Sequence, residues 1–308
     1  MKNEQVALVT DILDFMVHDG YGLRLNVFLK GCPLKCRWCQ NPEAIDREIQ
    51  VAYHAQRCIG CGKCLEVCPV PGAIVEDNRT RIDRTKCTKC LECVDACPGT
   101  ALRKVGEEYS VDALFAKINR YRVFFESSDR GGVTLSGGEP TYQGAFVLAL
   151  LEKCREAGIH TTVDTCGYAQ YETIKAIAEN VDLVLYDLKH MDEARHLEGT
   201  GVSNKLILDN LKRLCEECDL DLVVRIPLIT GYNDDEENVR KTVEFLKSTG
   251  NINRLDLLPF NELPADKYEA MRLNWACGDL KTQSKEDLLA LKEIVEGQGI
   301  EVTIGGMW

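Results

Sequence analysis

Cysteine is the residue type that most restricts what this chain can fold into. The chain has 308 residues and 16 cysteines, and eight of these lie between positions 58 and 97 as an internal repeat. Each half of the repeat has the spacing C-x2-C-x2-C-x3-C-P, first over 58–69 and again over 87–98. A separate group with the spacing C-x3-C-x2-C occupies positions 32, 36 and 39. Clustered cysteines at short, regular spacing indicate metal ligation.

The hydropathy of the chain affects how these cysteines are interpreted. Residues 1–5 do not begin a basic stretch followed by an apolar core, which is the pattern of a secretory signal. No run of about eighteen apolar residues occurs, so we expect no transmembrane helix and no membrane partner. We therefore expect a cytoplasmic protein, in which thiols stay reduced and bind metals more often than they form disulfides.

Composition and charge are those of a globular enzyme. Hydrophobic residues make up 45% of the chain and charged residues 28%. The 37 basic and 49 acidic side chains give a net charge of −12, which argues against nucleic acid as the main partner because phosphate binding needs concentrated Lys and Arg. The length allows one large domain or two smaller ones.

Downstream of the repeat, apolar runs alternate with helical patterns. The runs predict strands at 133–135, 161–165, 183–187, 222–226, 255–258 and 302–304, with an earlier strand at 25–29. Apolar residues three and four apart predict helices between them, and Gly158 and Gly250 are predicted to end two of these helices. Strands separated by helices pair in parallel through right-handed crossovers. About six such units predict an α/β fold that is an open, partial (β/α)6 barrel.

Candidate site residues follow these strands at their carboxyl ends. They are Gly137, Gly138, Glu139, Asp164, Thr165, Asp187, Leu188, Lys189, Arg225 and Asn261, and the three-cysteine group follows the strand at 25–29. Folds with parallel strands build their sites at this edge of the sheet. We therefore expect these residues to converge on one site.

The repeat resembles bacterial ferredoxins, in which three cysteines of each half hold one 4Fe-4S cluster and the fourth cysteine ligates the other cluster. The resemblance implies one cluster on Cys58, Cys61, Cys64 and Cys97, and a second on Cys68, Cys87, Cys90 and Cys93. The alternative is a pair of structural zinc sites, which usually take two close cysteine pairs separated by a longer loop. Uniform two-residue gaps favour iron–sulfur clusters. We expect residues 52–105 to form a ferredoxin-like domain, inserted into a barrel formed by 1–51 and 106–308.

Cys32, Cys36 and Cys39 provide three ligands, which would leave one iron of a third 4Fe-4S cluster open. With Trp38 and the string D-G-Y-G-L-R at 19–24, this group resembles the radical S-adenosylmethionine superfamily, and within it the glycyl-radical enzyme activating enzymes. The resemblance implies an oxidoreductase that works without air. Its reduced cluster would cleave S-adenosylmethionine, and the 5′-deoxyadenosyl radical would take a hydrogen from a glycine of a partner enzyme. A three-cysteine zinc site is the alternative.

The same resemblance implies roles for individual residues. Gly137, Gly138 and Glu139 match the loop that receives the cofactor's amino group, Asp187-Leu188-Lys189 matches a D-x-K that contacts the cofactor, Asp164 and Thr165 match a pair that holds a monovalent cation such as sodium or potassium, and Arg225 matches a nearby arginine. Asp19 matches an acidic residue close to the reacting glycine and, with Lys189, is a predicted catalytic residue. The alternatives are surface ion pairing for Asp187 and Lys189, and a simple turn for Asp19.

Two predicted nucleoside contacts depart from the family pattern. Gln40 and Asn261 stand where relatives have histidine, and their amides are able to hydrogen-bond the nucleoside. With Trp38 and Cys39 they complete the predicted cofactor site. Cys166 is expected near the active face, and the four other scattered cysteines are expected to be ordinary thiols.

The insertion resembles the branch of the family that activates dehydratases, decarboxylases and carbon–heteroatom lyases. We therefore expect a glycyl radical enzyme of these classes as the partner, and a flavodoxin or ferredoxin as the electron donor. Two alternatives stay open: a radical S-adenosylmethionine enzyme that acts on a small molecule, and an iron–sulfur electron-transfer protein. An open iron has no use in a pure electron carrier, and the string at 19–24 favours the activating role.

Overall fold

The computed structural model describes residues 5–75, 81–250, 252 and 254–306, so the start of the chain considered for a signal sequence lies largely outside the described residues. Within them the strands are β1 (Val6–Met16), β2 (Arg24–Leu29), β3 (Gln50–Tyr53), β4 (Leu102–Val105), β5 (Glu107–Ser110), β6 (Gly132–Gly137), β7 (His160–Thr165), β8 (Leu183–Asp187), β9 (Leu222–Pro227), β10 (Arg254–Leu258) and β11 (Glu301–Ile304). Nine of these strands form one sheet in the order β11-β10-β9-β8-β7-β6-β2-β1-β5.

The sheet is mostly parallel, as the alternation of strand and helix predicts. Every neighbouring pair from β2 through β6 to β11 is parallel, whereas β1 pairs antiparallel with both β2 and β5 at one edge. The predicted α/β fold with a mostly parallel sheet is therefore confirmed. The antiparallel edge is an addition that the sequence pattern did not indicate.

Helices connect the parallel strands and cover the sheet. They are α1 (Lys63–Val67), α2 (Glu92–Asp95), α3 (Val111–Asn119), α4 (Arg122–Glu126), α5 (Gly144–Glu156), α6 (Tyr171–Ala178), α7 (Glu193–Thr200), α8 (Lys205–Glu217), α9 (Glu236–Thr249), α10 (Ala265–Met271) and α11 (Lys285–Glu296). Gly158 and Gly250 follow α5 and α9 with φ of +67° and +80°, the left-handed conformation predicted for them. None of the described helices has the length and apolar composition needed to cross a membrane.

Contacts between distant strands show that the sheet is strongly curved. Asp19, in the β1–β2 connection, lies 3.1 Å from Arg225 in β9, the fourth strand from β2. Strands are spaced about 4.8 Å apart, so a flat sheet would separate β2 from β9 by about 19 Å. His18 also hydrogen-bonds the main-chain oxygen of Gly305, just beyond β11, at 3.1 Å. The carboxyl ends of the parallel strands therefore surround a common space.

The cysteine repeat leaves and rejoins the main fold at one place. β3 and β4 form a separate two-stranded antiparallel sheet, in which Tyr53 pairs with Leu102 at the end next to the repeat. The repeat has a small apolar core of its own that includes Ile74, Ile82 and two of its cysteines. α10 packs on the outer side of β3, where Ala270 contacts Ala52.

Candidate active site

A cavity of about 510 Å³ opens at the carboxyl ends of the parallel strands. Its size lies within the range of roughly 300–1,000 Å³ that is usual for small-molecule sites. Of the residues predicted for the site, those that line it are Asp19, Cys32, Cys36, Trp38, Cys39, Gln40, Gly137, Gly138, Asp164, Thr165, Asp187, Lys189, Arg225 and Asn261. Seven strands or the loops after them contribute, so the convergence expected from the sequence is present.

The loop that carries the three cysteines is anchored on both sides by backbone hydrogen bonds. Cys32 N donates to Ile45 O at 3.0 Å, and Lys35 N donates to Thr200 O at 2.7 Å at the end of α7. Trp38 is 5% exposed, and its ring lies 4.6 Å from that of Tyr232. The loop is therefore held in place both by backbone hydrogen bonds and by side-chain packing.

The surroundings of the cysteines in this loop are those of thiols that ionise when they bind a metal. Burial raises the pKa of Cys36 to about 12 and raises the pKa of Cys39 further. Thiols in such surroundings stay protonated until a metal ion supplies positive charge, and a coordinating thiol then ionises. Three partly buried thiols converging on one cavity are a donor set that fits an iron–sulfur cluster with one open iron.

Gly137 and Gly138 allow β6 to pack directly on the cysteine loop. Gly137 has φ +107°, and a Cβ on Gly138 would lie 2.3 Å from Gly31 O. Gly138 N donates to Leu29 O at 2.7 Å. From the sequence we expect these glycines to let the backbone approach the cofactor closely. The structure shows that they also allow two strand ends to pack closely against each other.

Glu139 and Leu188 are the two predicted cofactor residues outside the cavity lining. The Glu139 carboxylate is 1% exposed and accepts from Thr165 Oγ1 at 2.7 Å and from Cys166 N at 2.8 Å. Leu188 is buried, and its amide donates to Arg225 O at 2.9 Å. In this structure Glu139 therefore orders the residues that follow β7 rather than facing the cavity.

Arg225 lies at the centre of a buried cluster of charges. Its Nη1 is 3.1 Å from Asp19 Oδ1 and 3.8 Å from Asp164 Oδ1, and its Nε is 3.9 Å from Asp187 Oδ1. Lys189 Nζ donates to Asp187 Oδ2 at 2.8 Å. The cluster therefore combines three carboxylates with two cations.

The pKa values of these groups follow from burial and from their neighbours. Burial raises the pKa of Asp164 to about 7 against the lowering effect of Arg225, and Asp187 and Asp19 raise it further. Burial lowers the pKa of Arg225 and of Lys189, but the neighbouring carboxylates outweigh it and raise both. The two cations are thus held in their charged forms.

Two polar atoms of this cluster have unused hydrogen-bonding capacity. Asp187 Oδ1 and Arg225 Nε are buried and have no hydrogen-bond partner among the described residues. A ligand with an ammonium and a carboxylate group would supply the missing acceptor and donor. The cluster therefore fits the amino-acid end of S-adenosylmethionine.

The cysteine repeat encloses two smaller cavities, each lined by four cysteines. One is lined by Cys58, Cys61, Cys64 and Cys97, and the other by Cys68, Cys87, Cys90 and Cys93. This is the crossed grouping expected for two ferredoxin-type clusters. In the part of the chain that the structure describes, no three His, Cys, Asp or Glu side chains are grouped for a single metal ion.

Cys166, which was expected near the active face, lines the cavity, and its thiol hydrogen-bonds with Cys32 and thereby lowers the pKa of Cys32. Two other residues of the cavity were not identified from the sequence. Ser136 Oγ donates to Asp164 Oδ2 at 2.8 Å, and its position at a strand end was the available signal. Lys267 in α10 lines the cavity and donates to Asn41 Oδ1 at 2.8 Å. No sequence pattern identified it.

The comparisons with a family model and with known proteins agree on one family. The model of the radical SAM superfamily matches residues 26–245. The chain is 43% identical over 302 residues to the trans-4-hydroxy-L-proline dehydratase activating enzyme of Clostridioides difficile, covering 97% of this chain and 99% of that one. It is 42% identical over 278 residues to the choline trimethylamine-lyase activating enzyme of Oleidesulfovibrio alaskensis, covering 88% of each chain.

A more distant relative and a solved structure extend the comparison. The pyruvate formate-lyase 2-activating enzyme of Escherichia coli is 32% identical over 308 residues, covering 99% of this chain and 94% of that one. The structure of Streptococcus suis SuiB bound to S-adenosylmethionine has a TM-score of 0.55 at 15% identity, over 92% of this chain and 50% of that one. At that identity the likeness bears on the fold alone.

Proposed function

Because the chain belongs to the radical SAM superfamily, and within it to the glycyl-radical enzyme activating enzymes, we propose that it installs a glycyl radical in a separate enzyme. When bound, a 4Fe-4S cluster and S-adenosylmethionine supply the 5′-deoxyadenosyl radical that removes a glycine hydrogen. The observation that carries the proposal is the convergence of three partly buried cysteines with Asp19, Lys189 and Arg225 on one cavity.

Different residues of the chain are proposed to bind the cluster and each part of the cofactor. Cys32, Cys36 and Cys39 hold the cluster, and Lys189 and Arg225 provide positive charge for the cofactor's carboxylate. The backbone of Gly137 and Gly138, with Asp187, faces its amino group, and Asp164 with Thr165 holds a monovalent cation. Trp38, Gln40 and Asn261 contact the nucleoside. The support is that all of these line the same cavity and that Asp187 Oδ1 and Arg225 Nε have no hydrogen-bond partner among the described residues.

Asp19 is proposed to meet the partner's glycine. Its carboxylate is fixed before any partner arrives, since Arg225 Nη1 contacts one oxygen at 3.1 Å and Asn26 Nδ2 donates to the other at 2.5 Å. Thr134 Oγ1 also donates to the main-chain oxygen of Asp19 at 2.7 Å. A radical that reacts with most nearby C–H bonds requires such fixed placement.

The insertion is proposed as a ferredoxin-like domain over 52–105 with two further 4Fe-4S clusters, in a partial (β/α)6 barrel formed by 1–51 and 106–308. The grouping of its eight cysteines around two cavities supports this, and the curvature of the sheet supports the barrel. A flavodoxin or ferredoxin is the proposed electron donor in an anaerobic cytoplasm. The relatives named for a dehydratase and a lyase support a partner among dehydratases, decarboxylases or lyases.

The test is an anaerobic assay with candidate glycyl radical enzymes. The reconstituted chain, reductant and S-adenosylmethionine are mixed with each candidate, and the electron paramagnetic resonance (EPR) spectrum is recorded. We expect a glycyl doublet that is absent with Cys36→Ala and retained with Cys218→Ala, whose thiol lies at the end of α8 away from the cavity. Cofactor cleavage without a doublet in any candidate would favour a small-molecule substrate. Iron near about eight rather than about twelve atoms per chain would contradict the three-cluster assignment.

A further inference from the structure

The two cavities of the cysteine repeat match in the exposure of their cysteines and in one backbone hydrogen-bond donor each. Cys61 and Cys90 are exposed, while Cys64 and Cys93 are buried. In each half a main-chain amide two residues after the first cysteine hydrogen-bonds its sulfur: Gly60 with Cys58, and Lys89 with Cys87 at 3.4 Å. Exposure and backbone donors are therefore matched between the two sites.

Two side chains outside the repeat make the cavities different. Arg81 is 6% exposed, and its Nη1 donates to Cys64 Sγ at 3.5 Å. The buried Tyr53 hydroxyl lies beside Cys58 and hydrogen-bonds its sulfur. Both side chains line the cavity of Cys58, Cys61, Cys64 and Cys97.

Neither Tyr53 nor Arg81 has a polar counterpart at the equivalent position before the opposite half of the repeat. Tyr53 lies five residues before the first cysteine of its half, and Ile82 lies five residues before Cys87. Arg81 lies six residues before Cys87, and the residue six before Cys58 is Ala52. Ile82 lines the second cavity, whose lining beyond its cysteines is aliphatic apart from Thr88. The second site therefore lacks both side-chain donors within the described residues.

Hydrogen bonds to cluster sulfurs and nearby positive charge favour the reduced cluster, because reduction adds negative charge. The guanidinium and the phenol hydroxyl act on one cavity only. Arg84 carries a positive charge near Cys87, but its Nη2 donates to Val51 O at 3.1 Å, and it does not line the cavity. Direct donation to sulfur thus separates the two sites.

We propose that the two clusters of the insertion have different reduction potentials, and that the cluster on Cys58, Cys61, Cys64 and Cys97 is the higher one because of Arg81 and Tyr53. The inference rests on the two-cluster insertion of the proposed function. It follows that an electron delivered by the donor resides at the Cys58 site when the insertion is singly reduced. Arg81 and Tyr53 act through the cysteine sulfurs and are positioning residues.

The test is an anaerobic redox titration followed by EPR. The full-length chain carries Cys36→Ala, so the three-cysteine loop adds no cluster signal, and Cys61→Ser and Cys90→Ser assign each wave to its site. We expect two separate reduction waves. Arg81→Leu and Tyr53→Phe should each move the higher wave to lower potential and leave the other wave in place. Arg103→Leu removes an exposed guanidinium of the same insertion and should move neither wave.

Each result has a clear meaning. Two coincident waves at full iron content, or a higher wave that Tyr53→Phe and Arg81→Leu both leave unmoved, would overturn the inference while the proposed function stands. The phenylalanine variant removes only one oxygen atom, so it tests the idea even if the leucine variant folds poorly. In the Cys36→Ala chain, iron below about eight atoms per chain would overturn the two-cluster insertion and this inference with it.

Discussion

At the start of β2 the guanidinium of Arg24 is almost fully buried, and oxygen atoms of several strands hold it. Its Nε donates to Thr134 Oγ1 at 3.0 Å and its Nη2 to Thr162 Oγ1 at 2.8 Å. Its Nη1 lies 3.2 Å from His160 Nδ1. A guanidinium only donates, so Nδ1 of His160 must be the acceptor and therefore unprotonated.

This arrangement predicts a pH dependence of stability. Burial, together with Arg24, lowers the pKa of His160 from 6.5 to about 4. In the unfolded chain the ring takes up a proton near pH 6.5, so the stability that neutral His160 contributes is complete above that pH and is lost as the pH falls toward 4. We expect the free energy of unfolding, measured by anaerobic urea unfolding, to fall between pH 7.5 and pH 5 in the parent. In His160→Gln this fall should be smaller by about 1 to 2 kcal/mol. Parallel pH profiles for the two proteins would contradict this assignment.

Gly138 provides a second prediction at the level of one residue. A Cβ there would lie 2.3 Å from Gly31 O, and backbone atoms have little freedom to move away. We expect Gly138→Ala to cost about 2 to 4 kcal/mol and to reduce iron binding at the three-cysteine loop. The control is Gly158→Ala, where φ is +67° but no atom lies within 4 Å, with an expected cost of about 1 kcal/mol. Equal iron contents and equal unfolding midpoints would argue against the close-packing role.

Which residues face the cavity was only partly predictable from sequence. Asp187 and Lys189 were identifiable because polar residues at the carboxyl ends of buried parallel strands lie at the edge of the sheet where such folds build their sites. Glu139 satisfied the same rule, yet its carboxylate is occupied by Thr165 and Cys166 of the next strand end. That outcome depends on the height of one strand end relative to its neighbour, which a linear pattern does not contain.

At the level of elements, strands β6 to β11 were predicted to within two residues at each end, because they read as short runs of apolar and β-branched residues, most of which are buried in β6 to β10. β1 was not among the predicted strands, although residues 6–9 are all apolar. Val6 and Phe15 are about half exposed in it, so its apolar side chains do not mark one buried face.

The two-stranded sheet of β3 and β4 predicts that the insertion is removable. Tyr53 and Leu102 are directly paired, so an Asn-Gly turn is able to join them in place of 54–101. We expect the shortened chain to keep the circular dichroism of the main sheet, while iron falls from about twelve to about four atoms per chain. Loss of all iron, or aggregation of the shortened chain, would show instead that the insertion supports the main fold.

For the whole molecule, the separate apolar cores predict how the protein responds to iron removal. The core of the insertion holds few apolar side chains, and Cys64 and Cys93 are among its buried residues. A domain with so small a core would depend on the proposed clusters for stability, whereas the main fold has two large cores between its sheet and helices. We expect chelation to raise amide hydrogen exchange throughout 54–101 and to leave β6 to β9 protected. Uniform exchange in both regions would contradict this independence.

The three contacts that hold Asp19 affect the entropy of complex formation. Arg225, Asn26 and Thr134 fix its carboxylate and backbone during folding. A partner loop that reaches this residue therefore meets a single rotamer, and the conformational freedom lost on association belongs to the loop alone. The affinity between the two proteins should accordingly respond more to stiffening the partner's loop than to stiffening the pocket.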